Sequence, residues 1–529
     1  MTTTRSDITH SSRYPTWQGA ESASSSVHRA WSSVWLRPSL TVVMSLASAL
    51  LVAALMPRGP ITTGQALILL GTGVILGVGA GLVMHSRWAM LVAPVTFIAT
   101  LEVALRSGDS IVFDAPRFDM TYGVVAFMLG RGFIFLVGIV PMLLGVAYGA
   151  ALARRIERGQ GRERRRWDMT RRIMGAGATI GVIGLAVLIA WPASVPALLD
   201  ADGNEIPNGQ VELTAVPIGG HEQWISVRAS NPDAPVVLWL SGGPGQSDMA
   251  FTRALFDPIA EDVVFVNWDQ RGAGKSRPAL DPASTWTLDQ AVADTIELTN
   301  YLRDRFDEEK IYLVGESWGS TLGVLAVQQR PDLYHAYIGS GQMVSQRETD
   351  RIIYHDVLDY AVSTGDSDLQ ATLEDFGEPP YRDIWAYTFM MEQYEVVEPE
   401  YSPPAVYLER GNRAAIGPWG VLASEYTFVE KVNVLAGALE MFSVMYPQLQ
   451  AVDFRVDVPK LDAPVYIMLG EAELEGRASL AREWFDLLQA PAKELLVIED
   501  AGHSTALEGV ETFHQLLVEE IIPATYPEA

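Results

Sequence analysis

An α/β domain with a helical insertion, preceded by an all-α transmembrane region, is the architecture this sequence predicts. Three observations carry it. Apolar segments of membrane-crossing length crowd the first 199 residues. From residue 210 onward, short apolar strands alternate with helical stretches, the pattern of a mostly parallel sheet covered on both faces. Gly315-Glu316-Ser317-Trp318-Gly319 stands between the apolar run Ile311-Tyr312-Leu313-Val314 and a helical stretch that begins at Ser320.

Residues 1–37 form a polar segment carrying Arg5, Arg13, Arg29 and Arg37. The region 38–199 then holds apolar segments at 38–56, 64–84, 88–105, 122–152 and 174–198. Each is long enough for a hydrocarbon core that needs about 20 apolar residues. The fourth contains Arg131 and reads either as one long tilted helix or as an interfacial piece followed by a span. The stretch 153–172 carries nine arginines and marks the cytoplasmic side. The loop 106–121, with Asp109, Asp114 and Asp119 against Arg106 and Arg117, falls outside. Five spans place the N-terminal segment in the cytoplasm and deliver residue 200 to the extracytoplasmic face; an even number would keep it inside. The first span lacks an A-x-A site after it and reads as an anchor rather than a cleaved leader. Glu102 and Arg131 are ionisable groups within the spans, and such groups are functional candidates by default.

Charge separates the two halves. Residues 1–199 hold 18 Arg, no Lys and nine acidic residues, a net of +9. Residues 200–529 carry −35, which brings the chain to its overall −26. A surface this acidic repels phosphate backbones, so nucleic acid is excluded as a partner. With no cysteine, disulfides, thiolate metal sites and a cysteine nucleophile are excluded as well.

In the α/β half, strands near 211–216 and 222–229 read as an opening hairpin, followed by strands near 235–240, 263–268, 311–314 and 336–340. Helices near 287–305 and 318–330 separate the later ones. The first part of the core is expected over 207–344 and a helical insertion over 345–460. The second part, 461–529, holds strands 464–469 and 494–499 and helices 478–489 and 508–521.

Strand, G-x-S-x-G, helix is the nucleophile-elbow pattern of the α/β-hydrolases, in which flanking glycines permit a very tight turn. Two further motifs accompany it: Ser241-Gly242-Gly243-Pro244-Gly245 after strand 235–240, and Asp269-Gln270-Arg271-Gly272-Ala273-Gly274-Lys275-Ser276 after strand 263–268. The whole resembles the proline iminopeptidase branch of the α/β-hydrolases, a group of serine aminopeptidases, over residues 207–529. The resemblance implies an α/β-hydrolase fold in which the helical insertion caps the active site. It implies Ser317 as nucleophile and His503, in Ala501-Gly502-His503-Ser504, as base. His514, inside the last helix, reads as a helix-face residue. The family's G-x-x-D is here Gly470-Glu471-Ala472-Glu473, so Glu473 takes the place of the acid, with Glu471 and Glu475 as alternatives. The oxyanion donors are the backbone N–H groups of Gly243 and Trp318. Ser241 stands where the family usually has His. Asp269, Arg271 and Ser276 read as loop scaffolding. Aminopeptidases of the group bind a free α-ammonium with cap carboxylates; Glu392, Glu395, Glu398, Glu400 and Glu425 are available, and Glu392 and Glu395, three apart on a helical stretch, are expected to share a face.

The function expected is that of a membrane-anchored serine hydrolase that releases N-terminal residues, proline among them, from short peptides, without metal or cofactor. Its partners are a short peptide or small-molecule substrate and the lipid bilayer. Two alternatives stay open. One is an esterase, lactonase or amidase acting on a small lipophilic or wall-derived compound. The other is an inactive membrane sensor or binding protein. Dehalogenase and epoxide hydrolase chemistry would need Asp at 317.

Overall fold

The computed structural model describes residues 35–106, 117–158, 166–207, 209–280, 285–381, 384–417 and 420–527. Arg5, Arg13 and Arg29, Asp109 and Asp114, and the centre of the arginine-rich loop lie outside these. The chain divides into two compact units. One comprises residues 1–52, 71–103 and 138–179; the other comprises 53–70, 104–137 and 180–529.

The first unit is helical. It is built from α1 (Leu36–Leu55), α2 (Thr63–Met84), α3 (Ala89–Arg106), α5 (Val140–Arg158) and α6 (Arg166–Ala190), of which parts of α1, α2, α3 and α6 belong to the second unit. Among the described residues, four helices are long and apolar enough to cross a membrane: Leu36–Leu55, Thr63–Met84, Thr121–Glu157 and Met169–Ala190. The expected span at 88–105 is a shorter apolar helix, Ala89–Leu105. The expected span at 174–198 ends earlier, at Ala190, because Pro192 disfavours helix at the residue before it. α2 and α5 cross at backbone contact. A Cβ built on Gly77 would lie 2.1 Å from the Met142 carbonyl oxygen, and one on Gly149 2.2 Å from that of Val78. Gly73 and Gly81 on α2 and Gly145 on α5 complete a small-residue seam, the device by which helices pack in lipid without a hydrophobic driving force.

The second unit is a three-layer α/β structure. Its eight strands are β1 (Gln210–Ile218), β2 (His221–Ala229), β3 (Val236–Leu240), β4 (Val264–Asp269), β5 (Ile311–Glu316), β6 (Tyr334–Ser340), β7 (Val465–Gly470) and β8 (Lys493–Ile498). They lie in the order β1-β2-β4-β3-β5-β6-β7-β8. β1 and β2 form an antiparallel hairpin, β2 joins β4 antiparallel, and every other pairing is parallel. The central strands β3, β4, β5, β6 and β7 are buried throughout, which is why they read as continuous apolar runs rather than alternating ones. Helices α7 (Met249–Phe256), α8 (Leu288–Phe306) and α9 (Trp318–Gln329) cover the sheet. The insertion between β6 and β7 is helical: α10 (Gln346–Thr364), α11 (Ser367–Phe376), α12 (Ile384–Glu392), α13 (Ala405–Arg413) and α14 (Phe428–Leu449). α14 opens on a complete capping box in which Thr427 accepts from the backbone of Glu430 and Glu430 reaches back to Thr427. After β7 come α15 (Glu475–Leu487) and, beyond β8, α16 (Thr505–Glu508) and α17 (Val510–Gln515).

Two parts of the N-terminal region belong to this unit. The loop before α2 docks on α14: Arg58 makes a two-pronged ion pair with Glu440, Nε to Oε1 and Nη2 to Oε2 both at 2.8 Å, and Asn433 donates to the Ile61 carbonyl at 2.8 Å. Arg58 also donates to the Leu280 carbonyl at 2.5 Å. The second part is α4 (Thr121–Phe127), which continues through π-helical turns into α5. Met120 takes a weak bond from the Thr388 hydroxyl of α12, and the Tyr122 amide donates to Glu392 at 3.0 Å. The expected fourth segment is thus one uninterrupted helical run, but its first seventeen residues (121–137) pack with the α/β unit.

Candidate active site

The C-terminal ends of parallel strands are where an open α/β sheet gathers its loops. β3, β5, β7 and β8 each deliver one predicted residue there.

β5 turns into α9 at Ser317, whose φ of 51° and ψ of −115° lie outside the regions an L-residue favours. The turn is possible because its flanks are bare. A Cβ on Gly315 would meet the Gly319 carbonyl oxygen at 2.4 Å, and one on Gly319 would meet that of Leu240 at 2.0 Å. The result holds the hydroxyl out at the head of a helix.

His503, in the loop after β8, has its Nε2 2.9 Å from the Ser317 hydroxyl and its Nδ1 2.5 Å from Glu473 Oε2. Ser317, His503 and Glu473 therefore form one hydrogen-bonded chain. Glu471 and Glu475 have no place in it. Burial alone would raise the Glu473 carboxyl, but His503 and Arg477 outweigh it and hold it down at about 2. Arg477, buried in the first turn of α15, sits 3.3 Å from Glu473 Oε1, which also accepts the Leu474 amide at 2.9 Å. The histidine loop is fixed from behind: Glu508 accepts the Gly502 amide at 2.6 Å.

Removing one of the two cations on Glu473 has a directional consequence. In Arg477→Met the carboxyl should rise from about 2 toward its ordinary range, so the acid limb of kcat/KM against pH should move to higher pH. Stability should fall by about 3 kcal/mol or more, the cost of breaking a buried pair. A pH profile superimposable on wild type would show that Arg477 does not act on Glu473.

The loop after β3 brings Gly242 against the serine; a Cβ on it would lie 3.3 Å from Ser317 Cβ. Gly243 holds φ at 111°, where a Cβ would meet the amides of Gly245 and Gln246 at 2.7 Å. Trp318 is the first helical residue of α9, so its N–H has no acceptor within the helix. Gln270 ties the two together: it accepts from Trp318 Nε1 at 2.9 Å and donates to the Ser241 carbonyl at 2.9 Å. Sequence reasoning passed over Gln270, although it stands in the same Asp-Gln-Arg-Gly motif as Asp269 and Arg271. Arg271 pairs with buried Asp294, Asp269 accepts the Lys275 amide, and Ser276 accepts the Trp224 amide. Glu316 is buried under the elbow, and that burial pushes its carboxyl well above the usual range. His514 lies partly exposed on α17 with Asp262.

The amine-binding expectation meets a different geometry. Glu392 and Glu395 do not share a helical face, because α12 ends at Glu392 and Glu395 sits exposed in a separate one-turn 3-10 helix. Glu392 is engaged with the Tyr122 amide. Glu398 and Glu400 are exposed, and Glu425 is buried against Arg253. A cavity of about 870 Å³ lies beyond Gly243, Pro244 and Gln246, roofed by Tyr387, Tyr407 and Phe442 among others. Ser317 and His503 are not on its wall; Gly243, one residue beyond the Gly242 that abuts Ser317, is. Among the described residues no Asp, Glu, Lys or Arg lines it.

Comparison with known proteins matches residues 235–510 to the α/β-hydrolase fold family. A probable aminopeptidase, YbaC of Bacillus subtilis (strain 168), is 25% identical over 305 residues, which is 58% of this chain and 94% of that one. A probable proline iminopeptidase of Leptolyngbya boryana is 35% identical over 152 residues, 28% of this chain and 43% of the relative. Among solved structures, a proline iminopeptidase-related protein from Thermus thermophilus aligns with a TM-score of 0.42 at 19% identity, over 60% of this chain and 99% of the other.

Proposed function

The chain belongs to the α/β-hydrolase fold family, and on that premise we propose that it is a membrane-anchored serine hydrolase working through Ser317, His503 and Glu473. The observation that carries the reading is the unbroken hydrogen-bonded chain from Ser317 through His503 to Glu473. Ser317 Oγ attacks a carbonyl carbon while His503 Nε2 takes its proton. Glu473 holds the imidazole in the required tautomer and balances the imidazolium. The N–H groups of Gly243 and Trp318 meet the oxyanion. His503 then protonates the departing amine or alcohol, and water releases the acyl group. The four long apolar helices and the shorter Ala89–Leu105 together make five crossings, and with the arginine-rich stretch on the cytoplasmic side this odd number puts the hydrolase on the extracytoplasmic side.

For the substrate, the aminopeptidase and proline iminopeptidase relatives support release of N-terminal residues from short peptides, with the helical cap excluding folded proteins. One observation favours a second reading, an esterase or amidase of lipophilic compounds: no acidic side chain among the described residues lines the cavity to meet a free α-ammonium. An aminoacyl-p-nitroanilide panel headed by proline, run free and N-acetylated on the full chain in detergent, separates the two. Cleavage of the free forms only identifies an aminopeptidase. Cleavage indifferent to acetylation rules it out. Silence together with failure of a fluorophosphonate to label Ser317 would sink the hydrolase reading.

A further inference from the structure

The cavity beside the 243–246 loop has an unusual wall. Thr121, Tyr122 and Val125 come from α4, the first turns of the apolar run Thr121–Glu157. That run is 37 residues long, about 55 Å at 1.5 Å per residue, against a hydrocarbon core of about 30 Å. Residues 138–153, about 24 Å of helix ending at Arg154 and Arg155, already supply most of a crossing. The excess, residues 121–137, packs with the α/β unit, where Ala126 and Leu129 meet Trp385, Ala436 and Leu439. A helix composed for lipid therefore closes one side of the cavity, and Val434, Leu439 and Phe442 of α14 supply much of the rest.

The exposed residues continue the theme. Val125, Met391 and Leu408 line the cavity yet remain exposed, and Val124 and Met128 are exposed on the same α4 run. Contiguous exposed apolar groups mark a surface that meets something other than water. Here they adjoin the start of a membrane-crossing segment. The volume, about 870 Å³, lies in the range of sites that bury most of a small-molecule ligand.

We propose that the cavity holds the hydrocarbon chain of a membrane-dissolved acyl ester or acyl amide, which reaches Ser317 from the lipid phase past Val125, Met391 and Leu408. The inference rests on the serine-hydrolase reading above. Ser317 Oγ bonds to the acyl carbon as the bond from that carbon to the head-group oxygen or nitrogen breaks. His503 passes the serine proton to the departing alcohol or amine, and water frees the fatty acid.

The test uses the full chain reconstituted in phosphatidylcholine vesicles, with p-nitrophenyl esters from acetyl to decanoyl. Burial of each added methylene should raise kcat/KM about fourfold until the cavity is filled. Ala438→Trp, which puts an indole into the cavity, should lower the decanoyl-to-acetyl ratio at least tenfold, and Leu435→Trp is the second variant. Fluorophosphonate labelling of Ser317 shows that each variant is folded. A flat or falling chain-length series, with Ser317-dependent acetyl ester turnover intact, overturns the lipid-chain assignment and leaves the hydrolase. An unchanged ratio in both labelled variants overturns this cavity as the chain's location. No turnover and no labelling in wild type overturn both.

Discussion

Ser317→Ala is expected to lower kcat by about 10⁵- to 10⁶-fold on any substrate the protein turns over, the scale of such losses in other serine hydrolases. On the proposed mechanism it is the attacking group, and among the described residues no second hydroxyl is placed at 2.9 Å from His503 Nε2. Glu473→Gln should be milder, about 10⁴-fold, because the amide leaves the site's shape intact but offers His503 Nδ1 the wrong hydrogen-bonding face. Combining Ser317→Ala with His503→Ala should add little to either alone, since the two act as a unit. Single-turnover rates on the best ester or anilide would decide. Ser317→Ala activity within tenfold of wild type would mean that the chemistry lies elsewhere.

Arg58→Met is expected to cost the folded protein about 3 kcal/mol, through loss of its charge-assisted hydrogen bonds to Glu440 and to the Leu280 carbonyl. Glu440 is fully buried, and burial would raise its carboxyl. Arg277 and Arg58 together reverse that and hold it below the ordinary range. The sign follows from the lowered carboxyl: the stabilisation is complete above about pH 4.5 and is lost as pH falls below that value. Without Arg58 a single cation faces Glu440, and the Leu280 carbonyl loses its donor. Thermal unfolding of the detergent-solubilised full chain, followed by tryptophan fluorescence, is the measurement. Glu440→Gln added to Arg58→Met should deepen the loss, because it leaves buried Arg277 without its carboxylate. An unfolding temperature unmoved by Arg58→Met would show that the ion pair contributes nothing net.

Much of the α/β unit was legible because its signals are local. Strands buried on both faces read as unbroken apolar runs, and the glycines at 315 and 319 announce a turn that no Cβ could enter. Ser317, His503 and Glu473 lie on three separate loops, yet each carries its own sequence context, so the structure brings together residues that could be named in advance. The oxyanion roles proposed for Gly243 and Trp318 rest on family resemblance alone. What escaped was long-range. Nothing near Arg58 indicates a carboxylate 382 residues away, and the apolar character of 121–137 is the same whether its neighbours are lipid or α14. Glu392 and Glu395 misled because i,i+3 spacing implies a shared face only while the helix continues, and α12 stops at Glu392. The α2–α5 seam carried a readable signal in Gly73, Gly77 and Gly81, spaced four apart, which apolar composition alone conceals.

The docking of Arg58 on Glu440 also sets an order of assembly. The two residues are separated by 382 positions, so at a ribosomal rate of about 5 to 20 residues per second the arginine waits roughly 20 to 80 s for its partner. During that interval the loop before α2 is hydrated and the apolar side of α4 has no protein to pack against. Both are flanked by helices already made. The α/β unit must then close around a segment of itself that was made before its first strand, and it can do so only after α14, β7 and β8 have followed.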